Sequence, residues 1–411
     1  MTAEEFATRP PVFDPFAGAP GPDLAILKRA TELIPLLREE SEPSENARKI
    51  TDRAIGALDK AGLLNVMVPK RFGGPAVNIR TLIELIAETG RGDGSAGWVL
   101  GLTNVCEWFC TLYSEKAQQE IFGANPKAKA CGSIFAPKGG IEEVEGGLRV
   151  SGAWPYCSGS AWADWATLAL WTGEHPDGSP VLKLGLFPIK ELTHRDTWHV
   201  TGMKATVSTT LVADKVFIPN HRIQPLEDLG GEHYATEHTE EPNSRACFIP
   251  VAILILAAVQ IGLARHAIEY TLLRRATRPV TYTQYMEGKL APHMQMAVAE
   301  AQSMTDAAHL LAARACADID SAALQRRPLD VVTRARIRMD TGQIAELCRN
   351  AIGKLMTANG ASAFATPNNP LQRVWRDSEI AARHAQVEPE VAKLTYGQAM
   401  FGLDRFSLLF F

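Results

Sequence analysis

Two short stretches of this 411-residue chain carry side chains able to do chemistry. One is LQRVWRDSEIAARHAQVEP, residues 371–389, in which the pair Arg376–Asp377 precedes His384. An imidazole titrates near neutrality and can hold or deliver a proton there. The plain alternative is a histidine at a helix end, favoured by the helix dipole with no chemistry attached. The other stretch is SGAWPYCSGS, residues 151–160, where Ser158 offers a hydroxyl that can donate or accept and Tyr156 offers a flat ring. Taken alone, Ser158-Gly159-Ser160 reads as a turn between strands. Several other motifs are excluded by context. GDGSAG at 92–97 matches the dinucleotide pattern, but it follows a helical run, LIELIAETGR, rather than a strand, so Asp93 or Ser95 is expected to cap the next helix. The ten histidines show no H-E-x-x-H or Cys/His spacing, His233 with His238 is a weak pair, and no metal is expected. Neither a G-x-S-x-G elbow nor a Walker A loop is present.

The hydrophobic pattern says what must position these residues. Leu24, Ile26, Leu27, Leu33, Leu36 and Leu37 recur at helical spacing, as do Ile50, Ile55, Leu58, Leu63 and Leu64. Thr81 to Thr89 adds an amphipathic turn or two, and a further helix starts at Ser95, so the chain to about 123 is helical. From 128 to about 219 the period becomes two. LRVSGAW, WATLALW, VLKLGLF, TWHVTGM and TTLVADKVFI alternate with turns such as HPDGSP, which predicts an antiparallel barrel or sandwich. GGEHYATEHTEEPNSR, 230–245, reads as an acidic, structureless connector. Helical patterns over 249–275, 292–324 and 329–356 are long enough for a bundle. The expected class is α+β, with an N-terminal helical domain at 1–127, a central antiparallel β-barrel at 128–240 and a C-terminal four-helix bundle at 241–411.

Composition narrows the partners. With 42 basic and 46 acidic residues the net charge is −4, which gives neither a nucleic-acid footprint nor a polybasic membrane patch. Small organic molecules fit better. Seven scattered cysteines without a Cys-x-x-Cys pair argue for a reducing compartment, and MTAEEFATRPPVFDP lacks the basic end and apolar run of an export signal, so the expected location is cytoplasmic. Residues 246–264 carry no charge over about nineteen positions, nominally a membrane span. Pro250, Gln260 and Gly262 interrupt that run, and helical periodicity continues into RHAIEYTLLRR, so a helix buried on all sides is expected.

Helices, then sheet, then helices is the domain order of the acyl-CoA dehydrogenase fold, and with the two motifs the chain resembles that fold over nearly its whole length. In that fold an Arg-Asp pair on a late helix precedes a loop carrying the glutamate base. Here the glutamate position falls at Ala385, between His384 and Gln386. Abstraction of an α-proton needs a carboxylate within hydrogen-bond reach, and alanine supplies none. The resemblance therefore points to the oxygen-using branch, the two-component, reduced-flavin-dependent monooxygenases of aromatic hydroxylase and nitrososynthase type. It implies reduced FMN or FAD delivered by a separate flavin reductase, a C4a-hydroperoxyflavin formed with O₂, hydroxylation of an aromatic or phenolic small molecule, and a homotetramer or dimer.

The resemblance also implies site residues. Ser158 falls at flavin N5, Tyr156 lies against the ring, and Phe135 joins the cofactor contacts. His384 falls near C4a on the oxygen side, although some relatives carry that histidine about three residues on, here Val387. Arg274 and Arg278 are candidates for flavin phosphate, a role that suits a planar guanidinium, with a solvated helix end as the alternative for RRATR. Gly360 belongs to a turn resembling the fold's glycine-rich cofactor turn without its other glycines, and Arg376 comes with the Arg-Asp pair. Asn104 and Trp108, at i and i+4 of one helix, share a face that would meet substrate, with core packing the alternative for Trp108. Three other readings remain: an N-oxygenase of an amino sugar or amine, a dehydrogenase or oxidase with its base displaced to Glu379 or Glu388, and a silent scaffold binding an acyl or lipid group.

Overall fold

The computed structural model describes residues 18–366 and 369–403. Within them the chain opens with α1 (Leu24–Ala47), α2 (Asp52–Lys60), α3 (Ile79–Gly92) and α4 (Gly94–Thr111), followed by the short α5 (Glu115–Gln118). Polar caps set the starts: Asp23, Thr51 and Asn78 each accept from backbone N–H groups of the following turn. GDGSAG does the same for α4, where Asp93 Oδ1 accepts from Ala96 N at 2.7 Å. Because α3 rather than a strand precedes it, this is a capping sequence and not a phosphate loop.

The chain then changes to strands arranged in two sheets. One has the order β1 (Ala130–Ser133), β4 (Trp165–Glu174), β5 (Pro180–Pro188), β8 (Ile223–Pro225), and the other β2 (Ile141–Val144), β3 (Gly147–Cys157), β7 (Thr209–Pro219), β6 (Thr193–Arg195). Their inner faces bury Val150, Trp154, Leu168, Leu170, Phe187, Leu211 and Ile218 against one another. The antiparallel expectation needs one correction, since β1 pairs with β4 in parallel. The chain between them crosses through the other sheet, which supplies the long connection that a parallel pair requires.

A second correction concerns TWHVTGM, which alternates like a strand yet forms none. Its backbone partners lie elsewhere: Met203 N donates to Asp377 Oδ1, and Met203 O accepts from the Trp198 indole. Gly202 lies so close to the neighbouring helix that a Cβ there would meet Arg376 O at 2.2 Å. The acidic connector, following the short α6 (Leu226–Gly230), is likewise ordered, because His238 pairs with Glu115 and Glu240 and Asn243 Nδ2 donates to Val77 O. That pairing accounts for His238, and no cluster able to hold a metal occurs among the described residues.

Five long or mid-length helices follow among the described residues: α7 (Phe248–Arg275), α8 (Pro292–Leu324), α9 (Val331–Asn359), α10 (Pro370–Ala381) and α11 (Pro389–Met400). α7 is long and apolar enough to cross a membrane, but 83% of its most apolar window is buried inside the protein. It threads between α3, α4 and α9, and a Cβ at Gly262 would meet Ala87 O of α3 at 2.1 Å. Only glycine permits that backbone contact.

Candidate active site

Asp377 on α10 is the point from which the site is built. Its carboxylate is buried against the start of α4 and takes the Met203 N–H at 2.5 Å, fixing the irregular 202–208 segment on the helix. Burial, reinforced by the nearby Asp93 carboxyl, raises Asp377 to about 7, and burial raises Asp93 to about 6. From Met203 a chain of hydroxyls runs toward the end of β3. Thr206 Oγ1 lies 2.9 Å from Met203 O and 2.7 Å from Ser208 Oγ, and Ser208 Oγ lies 2.7 Å from Ser158 Oγ. Ser158 in turn accepts from the Trp98 indole N–H at 3.0 Å. Met203 and Val207 hold positive φ values of 54° and 48°, unusual for such side chains, so tertiary contacts hold this segment in a strained path.

Beside Ser158 the surface is aromatic and open. Register shifts in β3 between Trp154 and Cys157 accompany Tyr156 at φ 67°; the residue is 62% exposed, its ring edge-on to Trp198 at 6.3 Å between centroids. Phe135, just past β1, is 52% exposed. Tethers hold its strand end to that of Tyr156: Ser133 Oγ donates to Pro155 O and accepts from Phe135 N. Large exposed rings held this way form a ledge suited to another flat ring.

His384 completes the group from the loop after α10. Its ring lies 6.0 Å from that of Trp98. Desolvation pushes its pKa down to about 4, below the neutral range of a free imidazole. Nδ1 accepts from Gln386 N at 3.2 Å, so the neutral ring carries its proton on Nε2. Ala385 beside it is exposed, and Val387 is buried in the core. The displaced-base candidates are committed elsewhere: Glu379 pairs with Arg349 and Arg383, and Glu388 caps α11 by accepting from Val391 N.

Other expected residues lie apart from this group. Arg274 and Arg278 line a cavity of about 1110 Å³ with Tyr270, Asn359, Ser362 and Arg373, and none of Phe135, Tyr156, Ser158 or His384 borders it. Gly360 caps α9 next to Asn359, at φ 67°, and the buried Asn359 Oδ1 has no partner. Arg376 also lines the cavity, but its guanidinium is held by Glu45, Gln372 and Thr201 O, so its pairing is internal.

Asn104 and Trp108 require correction as substrate contacts. Both are fully buried. The Asn104 amide accepts from Val66 N at 2.8 Å and donates to Leu63 O and Leu100 O at 3.0 Å, while Trp108 stacks on Phe248 and donates to Asn243 O. Shared helical face was the right geometry for a core face. Asn104→Ala should therefore lower the melting temperature, at about 1–3 kcal/mol for each buried group left unpaired, with KM for substrate unchanged. A raised KM at undiminished stability would return Asn104 to the substrate pocket.

Sequence reasoning missed Trp98, Thr206, Ser208 and Trp198. One signal was available: Thr206 and Ser208 alternate directly before β7 in the pattern that sends side chains to one face.

Known proteins resemble this chain over most of its length. The acyl-CoA dehydrogenase N-terminal domain model matches residues 30–123 and the corresponding C-terminal domain model residues 254–389. The oxygenase component of an FADH₂-dependent resorcinol hydroxylase from Rhizobium sp. is 30% identical over 93% of this chain and 95% of its own. The oxygenase subunit HsaA of a flavin-dependent monooxygenase from Rhodococcus jostii is 29% identical over 92% and 98%. Among solved structures, XiaF from Streptomyces sp. in complex with FADH₂ and glycerol superposes with a TM-score of 0.85 at 31% identity, covering 93% of this chain and 96% of that one. With relatives matched over more than nine-tenths of both chains and no carboxylate at Ala385, this chain belongs to the acyl-CoA dehydrogenase-fold family of two-component, flavin-dependent monooxygenase oxygenase components.

Proposed function

We propose that this protein hydroxylates a phenol-like aromatic small molecule, using FMN or FAD reduced by a separate flavin reductase, and O₂. When bound, the reduced flavin supplies the two electrons that activate oxygen. The observation that carries this reading is the open aromatic ledge of Phe135 and Tyr156, set beside a buried Ser158 hydroxyl and flanked by His384, with alanine where a dehydrogenase needs its base. In this reading the ledge packs against the flavin ring, Ser158 meets its N5 edge, and the Nε2–H of His384 stabilises negative charge developing on oxygen.

The cavity holding Arg274 and Arg278 suits the phosphate-bearing end of a flavin, and the unpartnered Asn359 oxygen, an acceptor, would serve a flavin hydroxyl and not the phosphate itself. Because it lies apart from the ledge, we assign it to the flavin of a neighbouring copy in a homotetramer. Seven buried free cysteines fit a cytoplasmic setting, where a reductase driven by NADH would be at hand.

The test supplies purified protein with NADH, a flavin reductase, FMN or FAD, and a panel of phenols. The expected result is hydroxylated product matched to O₂ consumed, from protein that purifies nearly colourless. Stoichiometric yellow FAD bleached by an acyl-CoA would overturn the reading in favour of a dehydrogenase.

A further inference from the structure

We infer that the hydroxyl chain Ser158–Ser208–Thr206 has one fixed direction, and that this direction makes the site selective for a flavin protonated at N5 over the oxidised form. The inference rests on the placement of Ser158 at flavin N5 proposed above, and what it adds is the set of residues that would impose the preference for reduced flavin on this site.

The direction follows from counting protons. Both ends of the chain are fixed, because an indole N–H can only donate and a carbonyl oxygen can only accept. Thr206 has a single hydroxyl proton, and its 2.9 Å contact with Met203 O must use it. The 2.7 Å contact between Thr206 and Ser208 is then made by the Ser208 proton, and the 2.7 Å contact between Ser208 and Ser158 by the Ser158 proton. At the far end the Trp98 indole occupies one Ser158 lone pair. What Ser158 has left is one lone pair and no proton. It can accept from the N5–H of a reduced flavin and has nothing to give the bare N5 of an oxidised one.

Reversing the chain would free the Ser158 proton, but Thr206 would then have to surrender its bond to Met203 O. All four links are shielded: Trp98, Ser158, Ser208 and Thr206 are each less than 9% exposed, so water is poorly placed to compensate. The anchor is firm as well. Met203 O also takes the Trp198 indole, Met203 N is held by Asp377, and Gly202 abuts Arg376 O. The Asp377 of the Arg-Asp motif thereby acts on the cofactor edge through Met203, Thr206 and Ser208, all of them positioning residues. One buried hydrogen bond lost on reversal corresponds to about a tenfold preference.

The experiment measures dissociation constants of reduced and oxidised FMN and FAD under anaerobic conditions, by fluorescence titration of wild type, Thr206→Val, Ser208→Ala, Thr206→Ser and Ser158→Ala. Wild type should favour the reduced form. Thr206→Val and Ser208→Ala should each shrink the reduced-to-oxidised preference about tenfold, because the Ser158 proton becomes free to face the flavin. Thr206→Ser keeps the terminal donor and should keep the preference, as a merely structural role for the methyl would not allow. If Ser158→Ala weakens reduced-flavin binding while Thr206→Val and Ser208→Ala retain the wild-type ratio, the fixed direction is wrong and the Ser158 placement survives. If Ser158→Ala changes neither affinity, the placement itself falls and the inference with it.

Discussion

Replacing His384 with alanine is expected to slow reoxidation of the bound reduced flavin by O₂ about 10²–10³-fold, the usual cost of removing one preorganised donor from developing oxygen charge. The affinity for a phenolic substrate should hardly change. The ring acts as a neutral donor, since burial holds its pKa at about 4 and Gln386 N occupies Nδ1, leaving the proton on Nε2. Wild-type reoxidation should accordingly show no histidine titration between about pH 6 and 8, and His384→Asn, which keeps an N–H donor, should recover part of the rate. The same burial has a stability consequence of definite sign. Its folded pKa lies below the unfolded value, so unfolding takes up a proton at mildly acidic pH, and the contribution of His384 to stability is lost as pH falls from 6.5 toward about 4. Stopped-flow mixing of the reduced complex with O₂, without substrate, measures the rate. An unchanged transient combined with weakened substrate binding would move His384 into the substrate pocket.

The fold was legible in the sequence wherever a local signal and the tertiary outcome agree. The boundaries of α8 at 292 and 324 coincide with its expected range, and Asp93 caps α4 as its position suggested. Legibility failed where backbone partners come from distant residues. TWHVTGM alternates like a strand, but Asp377, 174 positions away from Met203, claims the N–H that a sheet neighbour would have taken. The parallel pairing of β1 with β4 carries no local signature, because both strands look alike in either direction.

The site was legible by residue type and far less by role. Ser158, Tyr156, Phe135 and His384 lie in one region, while Arg274, Arg278 and Arg376 line a separate cavity and Gly360 follows its Asn359. Nothing in the spacing of Asn104 and Trp108 separates a substrate face from a core face, since both demand the same periodicity. The titration behaviour of His384 was also hidden, because desolvation depends on neighbours such as Trp98 that are remote in sequence. The hydroxyl chain was missed because Thr206 and Ser208, on one irregular segment, meet Ser158 at the end of β3 and, through it, Trp98 of α4 only in the fold.

Ser158→Ala should uncouple the enzyme. At saturating reduced flavin, NADH and O₂ are still consumed, but the yield of hydroxylated product falls and H₂O₂ rises, because a preorganised hydrogen bond to a reactive centre contributes about 2–4 kcal/mol. The variant also leaves the Trp98 indole N–H without its acceptor and removes the donor to Ser208, which keeps Thr206, so a stability loss of about 1–3 kcal/mol accompanies it. The two effects separate cleanly. Uncoupling is a ratio of products compared at matched, excess concentrations of folded protein, since reduced flavin that finds no folded enzyme also yields H₂O₂. Ser158→Thr, which restores the hydroxyl, should restore coupling. Product and peroxide quantified per NADH for the three proteins decide the matter: if Ser158→Ala couples oxygen to product as wild type does, Ser158 serves only to tie Trp98 to Ser208, and the N5 edge of the flavin lies elsewhere.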